Sequence, residues 1–159
     1  MMTEHEYDLV IVGAGPAGSS AAYVAAKNGI KVALLEKEEN VAQTVRTSGV
    51  TWIDYAKEFG IPEDCYNPIR TYNFCSPKNK VSISDEQAKA AVLDVRKTYR
   101  FLADQAKKNG AEIFVNTNVT KTITENGKVV GVEASSSNNV AVHSSRSFVN
   151  QGSKKYSSP

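Results

Sequence analysis

The sequence predicts an α/β fold that opens with a βαβ unit and continues with an added helix and an antiparallel β-hairpin. Three observations predict it. Residues 7–12 read YDLVIV, a short, β-branched, nearly all-apolar run that suits a strand buried on both faces of a parallel sheet. Residues 13–18 read GAGPAG and lead into an alanine-rich run, the pattern of a glycine turn opening a helix. Residues 31–35 read KVALL and end at Glu36, which gives a second buried strand with an acid at its tip.

The elements follow in order. The first helix is expected over residues 19–27, ended by Asn28 and Gly29, with glycine supplying the left-handed cap. Residues 38–70 have weak periodicity. Within them Ile53, Ala56 and Phe59 suggest a short helix stopped by Gly60 and Pro62. Residues 72–83 suit one or two strands interrupted at Pro77, and residues 92–95 a short strand. A second helix is expected over residues 97–109. Tyr99, Leu102, Ala103 and Ala106 form one apolar stripe, Lys107 and Lys108 favour the negative end of its dipole, and Gly110 caps it. Strands are then expected over residues 111–115, 119–123 and 129–134, the last two joined by Asn126-Gly127, a strong hairpin signal. From residue 135 the chain is serine-rich and carries no acidic residue. The expected organisation is therefore a domain over residues 1–134 and a disordered or loosely attached tail over residues 135–159.

Composition narrows the function. The 159 residues allow one domain with an appendage, and 41% are apolar, enough for a core. A formal net charge of +2 is too small to imply nucleic acid as a partner. Cys65 and Cys75 lie in no CxxC pair, so free thiols in a reducing compartment are expected. His5 and His143 are isolated, and no metal site is expected. No apolar run approaches the ~20 residues of a membrane span, and the acidic start is unlike a secretory leader. The expected location is the cytoplasm, with peripheral membrane contact left open.

The chemistry sits in the glycine turn. Gly13, Gly15 and Gly18 form GxGxxG in its required setting of strand, helix, strand and acid, which makes the unit a Rossmann-like dinucleotide site. Gly13 permits the tight turn. Gly15 lets a pyrophosphate approach the backbone, and Gly18 lets the helix pack closely on the sheet. The helix N-terminus offers free N–H groups and partial positive charge to phosphates. Glu36 is placed to accept hydrogen bonds from the adenosine ribose, and it would repel a 2′-phosphate. FAD and NAD share this cradle. A classical NAD domain would continue with alternating strands and helices; a helix followed by a hairpin suits an FAD-binding fold instead, although periodicity leaves the choice open.

The run YDLVIVGAGPAGSSAAYVAAKNGIKVALLEK is similar to the amino terminus of the geranylgeranyl reductase family, FAD-dependent enzymes of the flavin monooxygenase-like group. The runs VLDVRKTYRFLADQAKKNGAEI and NVTKTITENGKVVGVEA resemble that family's next segments. The resemblance covers residues 7–134. Its first motif is shared by many flavoproteins; the later stretch is what points to the reductases. It implies FAD as cofactor and saturation of isolated double bonds in isoprenoid chains, including those of archaeal ether lipids, by hydride from the reduced flavin.

The resemblance also implies site residues. Gly13, Gly15, Ala17 and Gly18 match the pyrophosphate turn, and Glu36 the ribose acid. Arg46, Thr47, Ser48 and Gly49 match the loop that runs beside the flavin. Many members carry a cysteine there, and here Thr47 or Ser48 replaces it. An arginine just before the second helix holds the cofactor in the family; an ungapped match places Val95 there, and Arg96, one residue on, is the candidate. Val119 matches a position whose backbone touches the adenine side. No catalytic residue is identified. On the plainer reading of these residues, Arg46 is a surface arginine, Arg96 pairs with Asp94 or Glu112, Ser48 caps a helix starting near Thr51, and Trp52 is packing.

Family members are longer. They return to the central sheet after the hairpin, carry a later Gly-Asp motif on the flavin side and add a β-rich substrate domain. Residues 140–142 are a poor match to the returning strand. The resemblance therefore implies a truncated FAD/NAD(P)-binding domain, with a frame change or truncation near Ser135, weak or no flavin retention and no turnover alone. Other readings stay open: part of an FAD-dependent monooxygenase or hydroxylase, a non-catalytic dinucleotide-binding module, or a partly folded remnant.

Overall fold

The computed structural model describes residues 3–135 and 140–150. It divides into two compact units, one of residues 1–43 and 99–159, the other of residues 44–98. The first unit is organised by a six-stranded sheet in the order β8-β2-β1-β11-β10-β9. Its members are β1 (Thr3–Val12), β2 (Val32–Leu35), β8 (Glu112–Phe114), β9 (Asn118–Glu125), β10 (Lys128–Ser135) and β11 (Val140–Asn150).

β1 and β2 run parallel, with Leu9 opposite Val32 and Val12 opposite Leu35. β8 adds in parallel to the far side of β2. Alternate residues of these strands feed opposite faces, as the period of two requires. Ile11 and Leu34 pack with Ala22, Ala26 and Ala106 from the helices α1 (Pro16–Lys27) and α3 (Val95–Lys108). Val10, Ala33 and Leu35 pack with Tyr7 and Val132 on the other face. Both faces are covered, which is why the two strands read as unbroken apolar runs. Asn126 and Gly127 both take positive φ, 49° and 75°, the backbone that a two-residue hairpin turn demands, and β9 pairs antiparallel with β10.

The tail departs from its expected disorder. β11 lies parallel to β1 and antiparallel to β10, with Thr3 opposite Val140 and Val12 opposite Asn150. It returns the chain to the central sheet beside β1, although residues 140–142 read from sequence as a poor match to such a strand. Serine-rich composition argues against a strand only where no partner edge is on offer; here β1 supplies one. Residues 136–139 and 151–159 of the expected tail lie outside the described residues.

The second unit holds a three-stranded antiparallel sheet in the order β3-β7-β4 and a two-stranded ribbon of β5 with β6. β3 is Val50–Trp52, β4 Tyr66–Ile69, β5 Thr71–Cys75, β6 Lys80–Ser84 and β7 Ala90–Leu93. The short helix α2 is Ile53–Glu58. Its Ala56 packs with Tyr66 and Ala91, while Phe59, expected on the same buried stripe, is 69% exposed. Trp52 is 58% exposed, so the packing role expected of it is not met within this unit. The expected strand at 92–95 ends at Leu93 because Asp94 caps α3: its Oδ1 accepts from the Lys97 amide at 3.0 Å, satisfying a donor that the first helical turn leaves open. α3 therefore starts two residues earlier than its apolar stripe predicts.

Tyr7 gives the first unit a titratable anchor. Its ring is buried, and its hydroxyl donates to Glu112 Oε2 at 2.8 Å. Burial, then the Glu112 carboxylate, raise its pKa above the ordinary 10.0. The folded state thus keeps a proton that the unfolded chain releases, so this stabilisation is whole below pH 10 and is lost as pH rises above it. Urea melts at increasing alkaline pH are expected to lose up to about 1.4 kcal/mol per pH unit from this group. Tyr7→Phe is expected to flatten that slope; an unchanged slope would count against the anchor.

Candidate dinucleotide site

The end of β1 turns sharply at Gly13, whose φ of 99° favours glycine. Its amide donates to Leu35 O at 2.7 Å, so the turn is tied to the tip of β2. Gly15 is the N-cap of α1, and Pro16 occupies the first helical position, where a missing N–H costs nothing. Ala17 and Gly18 follow in the first turn, whose N–H groups have no carbonyl inside the helix to bond. A Cβ on Gly18 would stand 2.0 Å from Gly13 O and 3.4 Å from Ile11 Cγ2. Only glycine lets the helix come this close to the turn, which is the part assigned to it from the motif.

Glu36 completes this arrangement. Its Oε2 accepts from the Ala14 amide at 2.8 Å, and its Oε1 from the Glu38 amide at 3.0 Å. The acid therefore points into the glycine turn. Its backbone is held as firmly: the Glu36 amide donates to Phe114 O at 2.7 Å, and Glu36 O accepts from the Thr117 amide at 2.8 Å. Asn116, with φ of 49°, makes the turn that allows this clamp, and its amide donates to Glu38 O at 2.7 Å.

Two supporting residues escaped the sequence reading. Ser19 is wholly buried, and its Oγ donates to Ala14 O at 3.2 Å; the only signal was a serine directly after the third glycine. Thr117 is also buried, and nothing in the local sequence marks it.

The other candidates are placed as follows. Val119 lies in β9 opposite Ala134 and packs against the Val10–Val132 cluster. With Gly13, Gly15, Ala17, Gly18 and Glu36 it belongs to the first unit. Arg46, Thr47, Ser48 and Arg96 belong to the second. The first three are exposed on the loop before β3, where Thr47 Oγ1 accepts from the Gly49 amide at 3.3 Å. Ser48 does not cap a helix, since α2 starts at Ile53 with Trp52 at its N-cap. Arg96 is exposed in the first turn of α3, one residue beyond the buried Val95. Cys65 and Cys75 are both free, and Cys65 is buried beside the Lys97–Asp64 ion pair.

The donor set fits a dinucleotide: a turn with glycine at positions 13, 15 and 18, helix amides for phosphate and a carboxylate for ribose. A profile of the FAD dependent oxidoreductases matches residues 8–150. The chain belongs to this family. FAD is its cofactor. A digeranylgeranylglycerophospholipid reductase of Methanocaldococcus jannaschii is 38% identical over 115 residues, 70% of this chain and 29% of that protein. An uncharacterized protein from the nifH2 5′ region of Methanosarcina barkeri is 35% identical over 76% of this chain and 71% of its own length. The crystal structure of a geranylgeranyl bacteriochlorophyll reductase-like protein from Thermoplasma acidophilum superposes with a TM-score of 0.83 and 29% identity, over 93% of this chain and 39% of that one. The chain thus resembles the geranylgeranyl reductases, and it spans about a third of the length of the named reductase and of the solved structure. No helix among the described residues is long and apolar enough to cross a membrane.

Gly18→Ala tests the turn directly. The added methyl meets backbone, which cannot swing aside, so a loss of about 1–3 kcal/mol is expected in urea unfolding. A wild-type midpoint would show that the close approach is not needed.

Proposed function

We propose that this chain is the cofactor-holding part of a geranylgeranyl reductase-like flavoprotein that saturates isoprenoid double bonds during ether-lipid synthesis. The observation that carries the proposal is Glu36 directed into the glycine turn, in a chain whose named relatives are lipid reductases. The chain's own share of that chemistry is binding. The N–H groups at the start of α1 receive the pyrophosphate, Gly13, Gly15, Ala17 and Gly18 leave room for it, and Glu36 accepts from the ribose hydroxyls.

By the same resemblance, the backbone of Val119 meets the adenine side, and Arg46, Thr47 and Ser48 serve the flavin side. Arg96 holds the cofactor's negative charge. When bound, FAD supplies the hydride; the protein's part is to orient it and to exclude water. The substrate is an isoprenoid lipid, met by a cytoplasmic protein at the membrane surface.

The proposal is tested by titrating the chain with ADP and following the heat of binding. Saturable binding is expected. Glu36→Ala removes a charged acceptor worth about 1.5–3 kcal/mol, so its ADP affinity is expected to fall by about 10- to 100-fold. Glu36→Gln, which keeps one acceptor, is expected to lose less. Equal ADP affinity in wild type and Glu36→Ala would remove the carboxylate from the site.

A further inference from the structure

Gly49 follows directly on Arg46, Thr47 and Ser48. It is buried at the end of their loop, with φ of 74°. Its carbonyl accepts from the Leu93 amide at 2.9 Å, which ties the loop to the last residue of β7. A Cβ at this position would stand 2.6 Å from Val95 Cγ2 and 2.8 Å from Leu93 O. Both the backbone conformation and the space therefore require glycine. Val95 is the residue before Arg96 and opens α3. One glycine thus fastens the 46–48 loop to the segment that carries Arg96, all within the second unit.

We propose that Gly49 is a positioning residue for the flavin side of the cofactor: it fixes where Arg46, Thr47 and Ser48 stand relative to Arg96. The proposal rests on the assignment of these four residues to that side. It adds that they act as one rigid group whose spacing is set by a residue that touches no cofactor. A larger residue at 49 pushes the loop off Leu93 and Val95 and separates the group. The residues assigned to the adenosine half all lie in the first unit, whereas Gly49, Leu93 and Val95 lie in the second.

The ratio of FAD affinity to ADP affinity separates the two parts. Wild type, Gly49→Ala and the double variant Gly49→Ala/Val95→Ala are each titrated with FAD and with ADP. Wild type is expected to bind FAD at least tenfold more tightly than ADP. Gly49→Ala is expected to lose most of that ratio while its ADP affinity stays within twofold of wild type. The double variant, which removes the methyl groups nearest the new Cβ, is expected to regain part of it. A ratio unchanged in Gly49→Ala overturns the proposal, as does a parallel fall in FAD and ADP affinity, which marks a merely structural residue. A wild-type ratio near one overturns it while leaving the adenosine site standing. Wild type that binds neither ligand overturns the parent assignment as well.

Discussion

The hydrogen bond from the Ala14 amide to the Glu36 carboxylate joins the two halves of the βαβ unit at the point where a nucleotide would sit. It exists because β1 and β2 are parallel and in a register that sets Val12 against Leu35. In that register Gly13 reaches Leu35 O, and the next residues on each side, Ala14 and Glu36, come into contact. A slip of one residue would turn Glu36 to the other face of the sheet. The apolar runs on both strands fix the register by burying alternate residues in two separate clusters. Core packing and the placement of one surface acid are thus the same constraint. Gly18 and Ser19 then seat the helix on the turn, and the 114–117 segment holds the backbone of Glu36 from the other side.

Much of this was legible in the sequence because its signals are local. The strand–glycine–helix–strand pattern, the Asn126-Gly127 hairpin and the glycine ends of the helices each reside in a few consecutive residues. The features that escaped depend on distant partners. β11 is built from a serine-rich stretch whose strand character comes from pairing with β1, far away in the chain. β3 and β4 are only three and four residues long and owe their existence to β7 between them. The start of α3 was read from its apolar stripe, whereas Asp94 sets it by capping. In the candidate site, the glycines and Glu36 are legible from the motif, whereas the residues that brace them are not. Ser19 and Thr117 act through contacts that no spacing rule reveals.

The glycine turn and Glu36 are physical evidence for a dinucleotide, and they would look much the same in many flavoproteins. Family membership fixes FAD. The reductase reading depends on relatives that carry the name digeranylgeranylglycerophospholipid reductase and match 70–80% of this chain. The second unit exposes Trp52, Phe59 and Phe74.

The central claim is that the carboxylate of Glu36 and the amides of the glycine turn form one nucleotide-binding surface. Amide-resolved NMR of the labelled chain, recorded with and without ADP, reads that surface residue by residue. The account predicts the largest shifts at Ala14, Gly15, Ala17 and Gly18, together with the Glu38 amide that Glu36 accepts from. ADP-dependent shifts gathered elsewhere, with the amides of residues 13–18 unmoved at saturation, would contradict it.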